Sequence, residues 1–216
     1  MTGKLTEIEA RICGALVEKQ LTTPEYYPLT LNALVAACNQ KTNREPVVSY
    51  DEATVQKAVD DLRDKNIVYV FYGSTSRVPK YKHILPDAFE LEPSETAVLC
   101  VLMLRGAQTL GELRERTGRL YEFSGLGEVS ETLDRLTRRD EPLAAKLERQ
   151  PGQKEVRYAH LLCGEIAAGE ASKPASPVVN RNGNDRVARL EEEIENLRGE
   201  LDSFRQSFEE FKKQFE

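Results

Sequence analysis

Tryptophan is missing from this 216-residue chain, and histidine and methionine occur only twice each. With His83 and His160 alone, a metal centre or a histidine-based catalytic constellation has few side chains to draw on. Cysteine is sparse and scattered. Cys13, Cys38, Cys100 and Cys163 form no CxxC pair, so buried reduced thiols are expected rather than a disulfide framework or a zinc site. No GxxxxGK[ST] or GxGxxG stretch occurs, which removes the common phosphate-cradling loops. No apolar run approaches the roughly 18 residues of a membrane span. Met1-Thr2-Gly3-Lys4 leads straight into a charged amphipathic pattern, so no signal peptide is expected and a cytoplasmic location is. No cofactor, no metal and no enzymatic activity are expected.

An excess of positive charge is also lacking. The formal net charge is −6, which is not the balance of a typical nucleic-acid binder. It is unevenly spread. Residues 1–83 hold 11 basic and 10 acidic side chains, residues 84–163 hold 11 and 14, and residues 164–216 hold 8 and 12. The first third is the least unfavourable to an anionic partner.

What is present is a repeat. In Thr54–Leu62, the residues Val55, Val59 and Leu62 share one helical face. The pattern returns 74 positions later with Val129, Leu133 and Leu136. Before each copy stand two further helical patterns. The first set is Thr6–Gln20, opened by the capping box Thr6-Glu7-Ile8-Glu9, and a helix from its cap Thr30 to about Asn39. The second set starts at Glu92-Pro93-Ser94-Glu95, ends at Gly106, and continues from the capping box Thr109-Leu110-Gly111-Glu112. Ser49-Tyr50-Asp51-Glu52 reads as the capping box of the third helix, which runs to about Lys65. After each copy come two strand-like runs: Ile67–Tyr72 and Lys80–Ile84, then Ala144–Arg149 and Glu155–Leu162. Offsets of 86, 79, 74 and 77 change only between elements, as expected of duplicated units with altered loops.

Three helices and a β-hairpin, in that order, make a winged helix. The expected fold is mainly α with small β-hairpins (α+β): winged-helix units at 1–86 and 87–163, a flexible linker at 164–185 and a coiled-coil helix at 186–216. In the last segment Val187, Leu190, Ile194, Leu197, Leu201, Phe204, Phe208, Phe211 and Phe215 keep 3-4 spacing. The pairs Arg186–Glu191, Glu193–Arg198 and Glu200–Arg205 are complementary in a parallel pair, so the chain's first expected partner is itself, as a parallel homodimer. A single amphipathic helix packed on its own protein fits the same pattern, and the four phenylalanines leave room for a higher oligomer.

The polar stretch Cys38-Asn39-Gln40-Lys41-Thr42-Asn43-Arg44-Glu45-Pro46-Val47 is distinctive. With Leu5–Arg11, Glu18-Lys19-Gln20 and Thr22-Thr23-Pro24-Glu25, it resembles the YceH-like family of bacterial proteins. Leu104–Thr109, Gly111–Arg114 and Tyr121–Ser124 extend the likeness into the second unit, over roughly residues 5–164. The resemblance implies tandem winged helices; no activity or ligand comes with it.

Two functions fit. A DNA-binding, regulator-like protein would grip phosphates through Lys41 and Arg44 between helices 2 and 3 and through Arg77, Lys80 and Lys82 on the wing, with Asn43, Gln56 or Lys57 reading bases. Against it, Asp51 and Glu52 stand at the N-terminal turn of the third helix, where they favour the helix dipole and repel phosphate. The alternative is a protein-interaction scaffold on the same fold. A continuous cationic face through Lys41, Arg44, Arg77 and Lys80 would favour DNA, and a broken one a protein partner. Asn39, Gln40, Asn43 and Arg44 form either a recognition surface or a local turn, with amides capping helix 2 and held by backbone bonds.

Overall fold

A computed structural model describes residues 4–72, 78–149 and 155–164. The expected linker from residue 165 onward, the 186–216 seam and Arg77 lie outside the described residues. The structure is a mixed, mostly helical α+β arrangement with small antiparallel sheets.

In the first half, α1 spans Glu7–Thr22, a 3-10 turn spans Pro24–Tyr26, β1 is Leu29–Thr30, α2 is Leu31–Cys38 and α3 is Glu52–Asp64. The strands β2 (Val68–Phe71) and β3 (Lys80–His83) follow. Thr6 caps α1 in the expected reciprocal box, accepting from Glu9 N–H while Glu9 Oε2 accepts from Thr6 N–H at 2.6 Å. Thr30 caps α2 as expected. At α3 the cap is Asp51 and not Ser49: its Oδ1 accepts from Thr54 N–H at 2.7 Å. A carboxylate one residue before the helix satisfies an orphan donor that the box at Ser49, two residues further back, does not reach.

A short helix that the pattern did not announce, α4 (Leu85–Phe89), leads into the second half. There α5 is Pro93–Arg105, α6 Leu110–Thr117, α7 Leu126–Thr137, β4 Ala144–Lys146 and β5 Tyr158–His160. Boxes at Glu92/Glu95 and Thr109/Glu112 open α5 and α6. Gly106 ends α5 at φ 66°, a left-handed conformation open to glycine.

The internal repeat reaches the sheets. β1, β3 and β2 form one antiparallel sheet in that order, with Leu29 opposite Tyr81 and Val68 opposite His83. In the second half β4 pairs with β5, placing Ala144 opposite His160, and an isolated bridge joins Gln108 to Tyr158. Gln108–Tyr158 therefore stands where Leu29–Tyr81 stands. Val59 and Leu133 are both fully buried, at matching places in α3 and α7. Each half also buries the carboxylate of its first capping box against a cation from its third helix or that helix's C-cap. Glu9 accepts from Lys65 Nζ at 2.6 Å, and Glu95 lies 3.4 Å from Arg135 Nε.

The halves share one hydrophobic cluster, and residues 4–164 fall in one compact unit. The largest seam is α1 against α5. Gly14 makes it possible: a Cβ there would sit 2.9 Å from Leu104 side-chain atoms and 3.2 Å from Met103 Cβ. The start of the first half also meets the end of the second, with Leu5 N–H donating to Leu162 O at 2.8 Å.

Candidate functional site

The polar loop between α2 and α3 reads from sequence either as a recognition surface or as a local turn. Its arginine points inward. Arg44 is 5% exposed, and its side chain is fully enclosed. Its guanidinium donates to Glu18 Oε1 at 3.1 Å and Oε2 at 2.6 Å, to Gln40 Oε1 at 2.9 Å, and to the carbonyls of Ala37 and Asn43. Arg44, a candidate phosphate contact in the sequence, thus stands inside the fold with its donors engaged by these partners. A fork-shaped donor set suits this bidentate carboxylate contact with carbonyls filling the remaining positions.

The loop's amides are spent in the same way. Asn39 clamps the backbone of Tyr50, donating Nδ2–H to its carbonyl at 2.7 Å and accepting its N–H at 2.9 Å. Asn43, at φ 60°, turns its Oδ1 to Arg105 Nη2 of the second half. Glu45 N–H donates to Leu104 O at 2.9 Å, and Arg11 Nη2 to Pro46 O at 2.7 Å. The loop is a staple between α1, α2 and the end of α5, a longer reach than the local turn weighed for it.

The other expected contacts scatter. Gln56 is partly buried, donating to Asp60 Oδ2 and accepting from Tyr81 Oη, both at 3.0 Å. Lys41 and Lys57 are exposed, on the loop and on α3, among exposed Glu52, Asp61 and Asp64. Lys80 and Lys82 do share a surface. They alternate with buried Tyr81 and His83 along β3, so both stand on the solvent face of the first sheet. Directly opposite them are Phe71 and Tyr69 on β2, each 49% exposed. Tyr72, at the end of the strand, is 65% exposed. The expected cation list contained the two lysines but missed the aromatics beside them. The signal was in the sequence: Tyr69 and Phe71 fall on the same strand parity, opposite to Val68 and Val70.

The surroundings of both histidines disfavour the charged imidazole. His83 is buried, its Nδ1 accepting from Leu85 N–H at 3.2 Å, and burial brings its pKa down to about 4, with Lys82 adding to the shift. Tyr27 Oη accepts from His83 N–H at 2.8 Å and its ring meets the imidazole edge-on. Burial likewise lowers His160 to about 4. The four thiols are free, and burial raises each of them, Cys38 to about 12 and Cys163 to about 11. Among the described residues no group of three or more His, Cys, Asp or Glu is placed to hold a metal ion, and no helix is long and apolar enough to cross a membrane.

The class defined by these features is a mixed, mostly helical α+β protein whose two halves share one core and whose first sheet shows a mixed aromatic and cationic face. The chain belongs to the bacterial family described as "Protein of unknown function, DUF480", which it matches over residues 5–153. Among curated relatives it is 53% identical over 196 residues to a "UPF0502 protein" of Opitutus terrae, covering 90% of this chain and 83% of that one. It is 49% identical over 200 residues to a "UPF0502 protein" of Pelobacter propionicus, covering 90% of each. A third, from Solibacter usitatus, is 49% identical over 198 residues, covering 92% of this chain and 95% of the relative.

Proposed function

We propose that the chain is a tandem winged-helix protein that works by binding another protein, without catalysis. The winged-helix reading rests on the repeated order of three helices and a hairpin, on the YceH-like motifs, and on β1 and the Gln108 bridge taking the same place in each half. The observation that carries the choice of partner is the burial of Arg44. Without it the cations between α2 and α3 reduce to Lys41, and acidic Asp51 and Glu52 lie between that lysine and Lys57. A duplex meeting α3 would face a broken field.

The first sheet offers a better contact. Tyr69 and Phe71 supply apolar area at low entropy cost, and Lys80 and Lys82 flank them. In the order β1-β3-β2, β2 takes an edge of the sheet. An extended acidic segment with an apolar anchor would fit, adding to the edge through its backbone and to the lysines through its carboxylates.

Two measurements test this. A photoreactive residue at position 71 of the full chain should give discrete protein adducts that disappear in a Lys80→Glu, Lys82→Glu variant of unchanged melting temperature. Random-sequence duplex DNA should bind more weakly than about 10⁻⁴ M by fluorescence anisotropy at physiological salt. Tight duplex binding with a log–log salt slope of about −3, one phosphate each from Lys41, Arg77 and Lys80, would overturn the protein-partner reading in favour of DNA.

A further inference from the structure

The C-terminal end of α1, Asn43 and the α5–α6 corner enclose a cavity of about 420 Å³. Its walls are of two kinds. Val101, Leu104 and Leu120 are apolar, and three arginines, Arg105, Arg116 and Arg119, line the same space, Arg105 and Arg116 close enough to sense each other's charge. Such convergence of like charge around a concavity is costly unless something neutralises it.

The carboxylates nearby do so only in part. Glu18 lines the cavity but is already held by two nitrogens of Arg44. Arg116 reaches Glu112 at 3.4 Å across one helical turn, a contact with its side chains 30% and 26% exposed and of small worth. Arg105 rests on an amide oxygen of Asn43 and not on a carboxylate. Arg119 has no ion pair within 4 Å among the described residues, and neither has Glu115, the remaining acid of the lining. Arg105 is held below the usual guanidinium range, first by burial and then by the charge of Arg116.

We propose that this cavity binds a small organic anion, with a phosphate or carboxylate head on a compact apolar body. The head would take the forked donors of Arg105 and Arg119, which match two oxygens of either group. The body would lie against Val101, Leu104 and Leu120. The volume falls at the lower end of the range for small-molecule pockets, about 300–1,000 Å³. Because Asn43 orients Arg105, the site draws on both halves of the compact unit, and an occupant would tie α1 to the α5–α6 corner. The site is separate from the sheet face, so its failure leaves the partner reading standing.

The test uses the full-length chain, with adenosine monophosphate, octanoate and inorganic phosphate as probes at constant ionic strength. Calorimetric titration should give saturable binding of one organic probe with Kd below about 1 mM, together with a rise in melting temperature. The organic arm that saturates tells a phosphate head from a carboxylate head. Arg119→Gln removes an exposed, unpaired cation, so it should fold as the parent does. It should weaken binding about tenfold or more, and Arg105→Gln should do the same. Should Arg105→Gln fail to fold, Arg119→Gln decides alone. Lack of saturation with both organic probes would overturn the proposal. So would equal affinity in the parent and Arg119→Gln, or inorganic phosphate binding as tightly as the organic probes, which would indicate an adventitious ion only.

Discussion

Arg44 carries the sharpest consequence at the scale of single residues. It satisfies Glu18, Gln40 and two carbonyls at once, so truncation leaves a carboxylate at 16% exposure with only Lys19, 3.9 Å away, in place of a forked partner. Arg44→Ala should cost about 3–5 kcal/mol, the range for breaking a buried pair from one side, and a chemical denaturation curve would measure it. An exposed phosphate-binding arginine would cost almost nothing there. His83 makes a second prediction. Its unfolded imidazole titrates near pH 6.5 and its folded one near about 4, so between those values the unfolded chain takes up a proton that the folded chain refuses. Stability is fully present above about pH 6.5 and falls with decreasing pH toward 4, by about 1.4 kcal/mol per pH unit for each such group. His83→Asn keeps an acceptor for Leu85 N–H, and its melting temperature should vary less between pH 6.5 and 4.5.

Among elements, the α1–α5 seam is where space is tightest. Gly14→Ala would place a methyl group 2.9 Å from Leu104, so Leu104 must move or the helices must separate. The expected cost is about 1–3 kcal/mol. In combination with Leu104→Ala the two losses should be less than additive, since the smaller side chain gives the methyl group room; a double-mutant cycle by denaturant melts checks this. Strict additivity would place the strain elsewhere. The seam also explains how much of the site could be read in advance. The strand parity of Lys80 and Lys82 was legible, because period-2 alternation is local. The burial of Arg44 was not, because it depends on Glu18, 26 positions away, and on the loop docking against Leu104. Charged residues in a polar loop carry no local mark separating a buried pair from a solvated one. Asp51 displaced Ser49 as the α3 cap for a related reason: both precede the helix, and backbone geometry chooses between them.

For the whole molecule, the expectation concerns assembly. The 3-4 spacing from Val187 to Phe215 predicts that the full-length chain associates through residues 186–216, most simply as a parallel dimer. Light scattering should give twice the mass of 24.4 kDa at micromolar concentration. Removal of residues 186–216 should leave a folded chain of monomeric mass, because the shared core lies within the described residues 4–164. A full-length monomer would sink the dimer reading. That common core also predicts one cooperative melting transition for the truncated chain, where two separable units would give two.

By itself the sequence determined the elements and their order. Caps, apolar spacing and β-branched runs act over a few residues, and these located seven of the helical and strand patterns within a residue or two, as well as the internal repeat. It also determined that no strong excess of positive charge was available for nucleic acid. Tertiary structure decided what those elements enclose. Whether Arg44 faces solvent, whether the two halves keep separate cores, and which arginines converge on the α5–α6 corner all depend on contacts between residues far apart in the chain. Such contacts are fixed by shape and desolvation, which no local pattern records.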